Sequence, residues 1–354
     1  MITTLMIKNG SRIKDALLQL EETERRTLFV VDGEERLIGT LTDGDIRRWI
    51  LAEGSLDGTV ESICNTMPCL ATAGYDLEQI KTTMLEKKIG CIPVVNGKRE
   101  IIEVLLWENV FGEVQAGRQL TPIRLPVVIM AGGKGTRLDP FTKILPKPLI
   151  PLGDKTVIET IIDSFVVCGV DKFYISVNYK SKIIKSYFEE LGPAYTIEYI
   201  YEDKPLGTAG SLRYLNGKID TPLIVTNCDV IIKADYSDVV EHHLANDNDI
   251  TLVASLKNYN IPYGVCEVEN GGILSRIREK PEYNFLVNTG LYVVKPETLS
   301  FIPENEFFHF THLIEKVKEA GGKVGIYPVS EKSWIDVGEW AEYKKALDTL
   351  HLNF

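Results

Sequence analysis

Five charged side chains in the later two thirds of this 354-residue sequence could take part in phosphate chemistry: the cations Arg137, Lys147 and Lys280, and the carboxylates Asp229 and Asp336. The first two belong to one stretch, VVIMAGGKGTRLDPFTKILPKPLIP, at Val127–Pro151. Its opening, Val127–Ala131, is an apolar run that reads as a buried strand ending in a turn, and Gly132, Gly133 and Gly135 follow. Without Cβ atoms these residues let the backbone bend tightly and bring its N–H groups against an anion. Arg137 adds a planar fork for phosphate oxygens, and Lys147, flanked by Pro146 and Pro148, adds an ammonium on a fixed base. A glycine-rich turn alone is equally an ordinary strand-to-helix connection. The stretch lacks the Gly-Lys-Ser/Thr of a Walker loop, and Lys and Thr interrupt the glycines of a dinucleotide fingerprint.

Two carboxylates stand at the ends of apolar runs. Pro222–Asp229 (PLIVTNCD) reads as a buried strand delivering Asp229, either as the cap of the next segment or as a ligand for Mg²⁺, which one or two carboxylates plus phosphates commonly hold. Asp336 lies in Trp334–Gly338, just before a helix expected at Glu339–Leu350, where a helix-start role is equally available. Three weaker signals lie between them. Gly264 precedes an expected hairpin of Val265–Val268 with Ile273–Ile277; Glu279 and Lys280 follow that hairpin; Asn288 sits inside the apolar run Phe285–Val294. No Ser-His-Asp or Cys-His arrangement is visible. The five histidines need no catalytic role, and His242 and His243 are expected on a surface helix.

The bulk composition narrows the class of partner. A net charge of −11 argues against nucleic-acid binding, which needs a basic face, so an anionic substrate must be held by local cations. No apolar run approaches the roughly 20 residues of a membrane span, and the N-terminus has no signal-peptide core. The six cysteines show no metal-ligand spacing and are expected to be reduced and mostly buried, as in a cytoplasmic protein.

The elements that must position these residues fall into two patterns. From Val127 onward, expected strands (Lys172–Asn178, Ile197–Glu202, Pro222–Asp229) alternate with expected helices (Thr156–Cys168, Ser181–Leu191), which argues a parallel sheet covered on both faces. A further helix is expected near Thr208, so that Gly207 and Thr208 reach the carboxyl edge of the sheet, where ligands of such folds sit. Residues before 120 instead contain one helix–strand–strand–helix unit twice, about sixty residues apart. The first copy closes on Gly39–Asp45 (GTLTDGD), the second on Glu103–Asn109 (EVLLWEN). Gly112–Pro126 reads as the connection.

The glycine stretch, the Pro-Lys-Pro of Pro146–Pro148 and the order of the later motifs resemble the sugar-1-phosphate nucleotidyltransferases over Pro126–Phe354. GTLTDGD resembles the adenosyl-ligand motif of CBS domains. The resemblance implies an α/β fold: a Rossmann-like, mostly parallel sheet of glycosyltransferase-A type preceded by an α+β tandem CBS pair. It divides the chain into repeats at 1–58 and 59–118, a linker at 119–126 and a transferase domain at 127–354. It implies that Ala131, Gly132, Gly133 and Arg137 hold nucleotide phosphates, with Lys147 near the α-phosphate. Asp229 and Asp336 would hold Mg²⁺, Lys280 would bind the sugar phosphate, and Gly264, Glu279 and Asn288 would face the sugar. Thr42 and Asp45 would contact an adenine or other nucleotide, unless they serve only as a helix cap. Leu106 stands where the second copy would need its hydroxyl.

For the base, relatives that use thymidine or uridine nucleotides have Gln where Glu202 stands. A carboxylate only accepts hydrogen bonds, which suits the N1–H and N2–H₂ edge of guanine. With Gly207 and Thr208, the stretch from Glu202 resembles that of GDP-mannose pyrophosphorylases, so GTP is the expected nucleotide and UTP or dTTP the alternative. The whole order, a CBS pair before a guanylyltransferase, is similar to glucosamine-1-phosphate guanylyltransferases of legionaminic acid synthesis, with mannose, heptose or glucose 1-phosphate as other substrates. Both families commonly form homodimers. A non-catalytic nucleotide-sugar sensor is the rival of another class, and the presence of all five charged residues counts against it.

Overall fold

A computed structural model describes the chain except at residues 1, 24, 112–120 and 350–354. It comprises two compact units, Met1–Phe111 with Leu256–Phe285, and Gly112–Ser255 with Leu286–Phe354. The linker expected at 119–126 lies outside the described residues up to Leu120. Thr121–Pro126 has no regular structure, yet Ile123 is buried in the core of the second unit and its N–H donates to the Cys168 carbonyl at 2.8 Å.

The first unit repeats one small sheet. Met6–Lys8 pairs in parallel with Thr27–Val31, which pairs antiparallel with Leu37–Thr42. Ala71–Thr72, Cys91–Val95 and Ile101–Leu106 repeat that topology, and a bulge falls at Val30/Val31 in one copy and Val94/Val95 in the other. Helix Ile13–Thr23 buries Ile13, Ala16 and Leu20, residues whose spacing lines one helix face. Phe29, Val31 and Leu37 share a core with Val95 and Ile101, so each copy completes the other. To this unit also belongs the antiparallel ribbon Val265–Glu269 with Ile273–Arg278. Both ribbon strands are largely exposed. Beyond the ribbon, the Asn284 amide donates to the Lys88 carbonyl at 3.2 Å.

The second unit is built on a seven-stranded sheet. In chain order we number β1 (Val127–Met130), β2 (Lys172–Val177), β3 (Thr196–Tyr201), β4 (Leu223–Asn227), β5 (Val230–Ile232), β6 (Ile250–Asn260), β7 (Glu282–Val294), β8 (Val324–Val329) and β9 (Trp334–Asp336). The sheet runs β3-β2-β1-β4-β7-β6-β8, while β5 and β9 pair separately. β1 to β4 are mutually parallel, β7 runs antiparallel to β4, and β6 and β8 are parallel. The sheet is thus mixed but mostly parallel. Val127 and Ile129 enter one hydrophobic cluster while Val128 and Met130 enter another, which is why β1 reads as an unbroken apolar run. Helix α1 (Val157–Val166) covers the first of these faces, capped by Thr156 and Glu159; α2 is Ser181–Leu191 and α3 Tyr236–Ala245. Helix α4 (Phe310–Glu319) covers the other face, and α5 is Trp340–Thr349.

Three expectations are corrected. Instead of an α-helix starting near Thr208 there is a 3₁₀ segment at Gly210–Leu215. His243 lies not on a surface but in the core, with Nδ1 2.9 Å from Thr251 Oγ1; its pKa is pushed down to about 4 by burial and by Lys295. The cysteines are all free, but only Cys168 and Cys228 are buried. Among the described residues no helix is long and apolar enough to cross a membrane.

Candidate active site

The site begins where β1 ends. The Ala131 N–H donates to the Ser176 carbonyl at 2.9 Å, and the chain then leaves the sheet through the glycines. Gly135 takes φ +69°, and a side chain there would lie 2.8 Å from Lys147 Cβ, so only glycine allows the loop to close on Lys147. This closure presents Arg137 on the single turn Thr136–Leu138. Around Gly133 there is open space, with no protein atom within 4 Å of where a Cβ would stand.

Tertiary packing brings both aspartates to Lys147. Asp229 lies between β4 and β5, and Asp336 ends β9, opposite Val230 in the β5–β9 register. The Val337 N–H donates to the Asp229 carbonyl at 2.9 Å, and the Gly338 N–H to Asp336 Oδ1 at 2.7 Å. From the position of a Cβ on Gly338, Asp229 Oδ2 is 2.7 Å away, Asp336 Oδ1 2.8 Å and Lys147 Nζ 3.2 Å. Lys147 is ion-paired with Asp229 inside the protein. Burial lowers the Lys147 pKa most, but Asp229, Cys228 and Asp336 together outweigh it and leave the ammonium above its ordinary range. At Asp336, burial and then the Asp229 charge hold the carboxyl above the usual carboxylate range, against the Gly338 N–H, Lys147 and Arg137. Two carboxylates brought together, Asp229 buried and Asp336 half-buried, suit a cation between them. Among the described residues no cluster of three His, Cys, Asp or Glu side chains completes a metal cage.

A cleft of about 410 Å³ opens here. Arg137, Asp229 and Asp336 contribute acidic and basic groups to its lining, and Thr208, Asn227, Asn288, His309 and Thr311 line it as well. Asn288 is braced within β7: its amide donates to the Tyr292 hydroxyl at 2.8 Å, and its carbonyl oxygen accepts from the Gly290 N–H at 2.9 Å. Thr208 Oγ1 accepts the Phe310 N–H at 2.9 Å, so this hydroxyl caps α4 while it lines the cleft. Gly207, with φ +81°, allows that arrangement, because a side chain there would lie 2.6 Å from the Phe308 carbonyl.

Glu202 is buried next to the glycine loop, and a side chain at Gly132 would stand 2.8 Å from its Oε1. Ser176 donates to that oxygen, and the Leu206 N–H donates to Oε2 at 3.1 Å. The structure therefore assembles Gly132, Arg137, Lys147, Glu202, Thr208, Asp229, Asn288 and Asp336 in one unit. Gly264, Glu279 and Lys280 fall in the other unit, at the ends of the ribbon, where Lys280 takes φ +43° and its N–H donates to the Tyr263 carbonyl at 3.2 Å. Thr42 and Asp45 form a capping box at the start of helix Asp43–Leu51, and Asp45 also pairs with Arg48.

Sequence reasoning missed several lining residues. Asn227 was within reach, two positions before Asp229 at the end of the same strand. His309 and Thr311 carry no local signal, because the close approach of Gly207 to Phe308 is what brings them in.

Comparison with known proteins gives a consistent picture. Residues 126–352 match the family described as nucleotidyl transferase, and residues 2–52 match the CBS domain. A mannose-1-phosphate guanyltransferase of Yarrowia lipolytica is 32% identical over 230 residues, 60% of either chain. A UTP–glucose-1-phosphate uridylyltransferase of Synechocystis is 27% identical over 245 residues, covering 63% of this chain and 62% of its own. The chain thus spans about 60% of the length of the curated relatives it matches. Among solved structures, HddC from Yersinia pseudotuberculosis superposes with a TM-score of 0.51 at 25% identity, covering 64% of this chain and 99% of its own.

Proposed function

Since this chain belongs to the nucleotidyl transferase family, we propose that it transfers a nucleotidyl group, GMP by preference, from a nucleoside triphosphate to a sugar 1-phosphate. The observation that carries this reading is the convergence of Lys147, Asp229 and Asp336 around Gly338, beside Arg137 in one cleft. An oxygen of the sugar phosphate attacks the α-phosphorus; the bond from that phosphorus to the β-phosphate oxygen breaks, and pyrophosphate leaves with the electron pair. A phosphate monoester is already nucleophilic at neutral pH, so no general base is needed, and positioning with charge neutralisation suffices. Arg137 and Lys147 grip phosphate oxygens, and the open space at Gly133 lets backbone N–H groups do the same. Asp229 and Asp336 would hold Mg²⁺, which when bound neutralises phosphate charge, with phosphate oxygens and water as its remaining ligands.

Glu202, beside Gly132, is the residue we assign to the guanine edge. Asn288 faces the sugar, and Gly264, Glu279 and Lys280 are assigned to the sugar and its phosphate as the family resemblance implies. Glucosamine 1-phosphate is the sugar favoured by the domain order, and mannose 1-phosphate the one favoured by the relatives' names. The N-terminal CBS unit is assigned regulation, with Thr42 and Asp45 as its nucleotide contacts.

The test is pyrophosphate release with Mg²⁺, GTP or UTP, and a panel of sugar 1-phosphates. Release with GTP and one of those sugars is expected. Glu202→Gln should lower the GTP-to-UTP preference by about tenfold or more, the worth of a hydrogen bond to a charged group. An unchanged ratio removes Glu202 from base selection, and silence across the panel favours a nucleotide-sugar sensor.

A further inference from the structure

Arg137 is an exposed cation lining the cleft, and Glu339 already holds it. Arg137 Nη1 lies 2.8 Å from Glu339 Oε1, and the two side chains are 61% and 55% exposed. Glu339 is neighbour to Gly338, the residue packed against both aspartates and Lys147. Among the described residues, Glu339, Asp229 and Asp336 are the carboxylates that act on Arg137.

The pair is not what docks α5. Trp340 Nε1 donates to the Asp139 carbonyl at 2.9 Å, its ring lies 4.9 Å from Phe141, and the Tyr343 hydroxyl donates to the Pro151 carbonyl at 2.6 Å. An exposed ion pair adds at most about 1 kcal/mol to such a docking. It uses one guanidinium nitrogen, and a phosphate group that offers several oxygens can take the fork in bidentate fashion.

We propose that Glu339 is a positioning residue that competes with phosphate oxygens for Arg137, so that triphosphate binding and pyrophosphate release proceed by exchange of partner at this guanidinium. Glu339 keeps Arg137 extended toward the cleft while the site is empty and draws it off the leaving pyrophosphate. This rests on the nucleotidyl-transfer reading above and names the residue that sets how tightly the site retains its polyanions.

Pyrophosphate binding to the full chain, measured by calorimetry with and without Mg²⁺, tests it in wild type, Glu339→Gln, Arg137→Gln and the double variant. Removing the competing charge should tighten pyrophosphate binding up to about fivefold, the reach of an exposed pair. The Michaelis constant for GTP should fall with it, while kcat stays the same or falls. In the Arg137→Gln background the Glu339 substitution should do nothing, which a general change of field would not produce. Unchanged or weaker binding in Glu339→Gln, beside wild-type turnover, overturns the competition alone. Equal tightening in both backgrounds overturns it too. Absence of pyrophosphate and GTP binding in all four proteins, with Mg²⁺ present, overturns both the competition and the transfer reaction.

Discussion

Two pairs of residues, one in each unit, look alike on paper and differ in space. Thr42 with Asp45, and Asp229 with Asp336, both place carboxylates at or shortly after the ends of strands. In the first unit the carboxylate is satisfied by its own helix: Asp45 accepts from the Thr42 N–H at 2.8 Å and from the Thr42 hydroxyl at 2.6 Å, and it pairs with Arg48. In the second, two carboxylates far apart in sequence meet, Asp229 buried and Asp336 half-buried, and Lys147 pairs with Asp229. A local motif can be complete without a ligand. A tertiary cluster that leaves like charges facing one another is costly unless something binds there, and that cost points to function.

The comparison breaks first at the aspartates. Asp229→Asn and Asp336→Asn should each lower turnover by two to three orders of magnitude, the scale seen when one preorganised electrostatic group is lost. Asp336→Asn should leave the melting temperature unchanged or higher, because it removes a half-buried charge that desolvation and Asp229 both disfavour. Near-normal pyrophosphate release in both variants would remove the metal-holding role.

His243 tests whether burial of a titratable group is enough to mark a site. It is buried outside the cleft and bonded to Thr251, so its effect should be on stability alone. Its folded pKa of about 4 lies below the unfolded 6.5, so the unfolded chain binds the extra proton between these values and stability falls as pH drops. From pH 6.5 to 5 this residue should cost about 1.5 kcal/mol of unfolding free energy, by the linkage arithmetic for that shift. Urea denaturation of wild type and His243→Asn at the two pH values reads it directly. An equal loss in both would show that other groups carry the acid sensitivity.

The smallest expected effect is at the cap. Thr42→Ala should destabilise the first unit by about 1 kcal/mol, the usual cost of losing an N-cap hydroxyl. Hydrogen exchange in helix Asp43–Leu51 would show it. No change there would mean that the capping box is not what holds this carboxylate.

Much of the transferase unit was legible because its signals are local. Strands buried on both faces give unbroken apolar runs, α2 coincides with the range expected for it, and Thr156 with Glu159 announces α1. The second repeat of the first unit was readable for a similar reason, its strands and turns recurring in the same order. The histidines were not legible. His243 enters the core because it finds Thr251, and His309 lines the cleft because Gly207 lets the chain pass close to Phe308. Neither contact leaves a pattern in the residues around it.

The sequence by itself determined most of the strands and helices, the glycine loop and the residue types able to handle phosphate, since these follow from periodicity, backbone freedom and side-chain chemistry within short windows. The tertiary structure alone decided which of those residues meet. It joined Lys147 to Asp229, turned Asp336 toward them through the β5–β9 pairing, set Glu339 against Arg137, and placed Lys280 just past the end of a ribbon in the other unit. Charges act over a few ångströms of space, and separation along the chain says little about that distance until the sheet has formed.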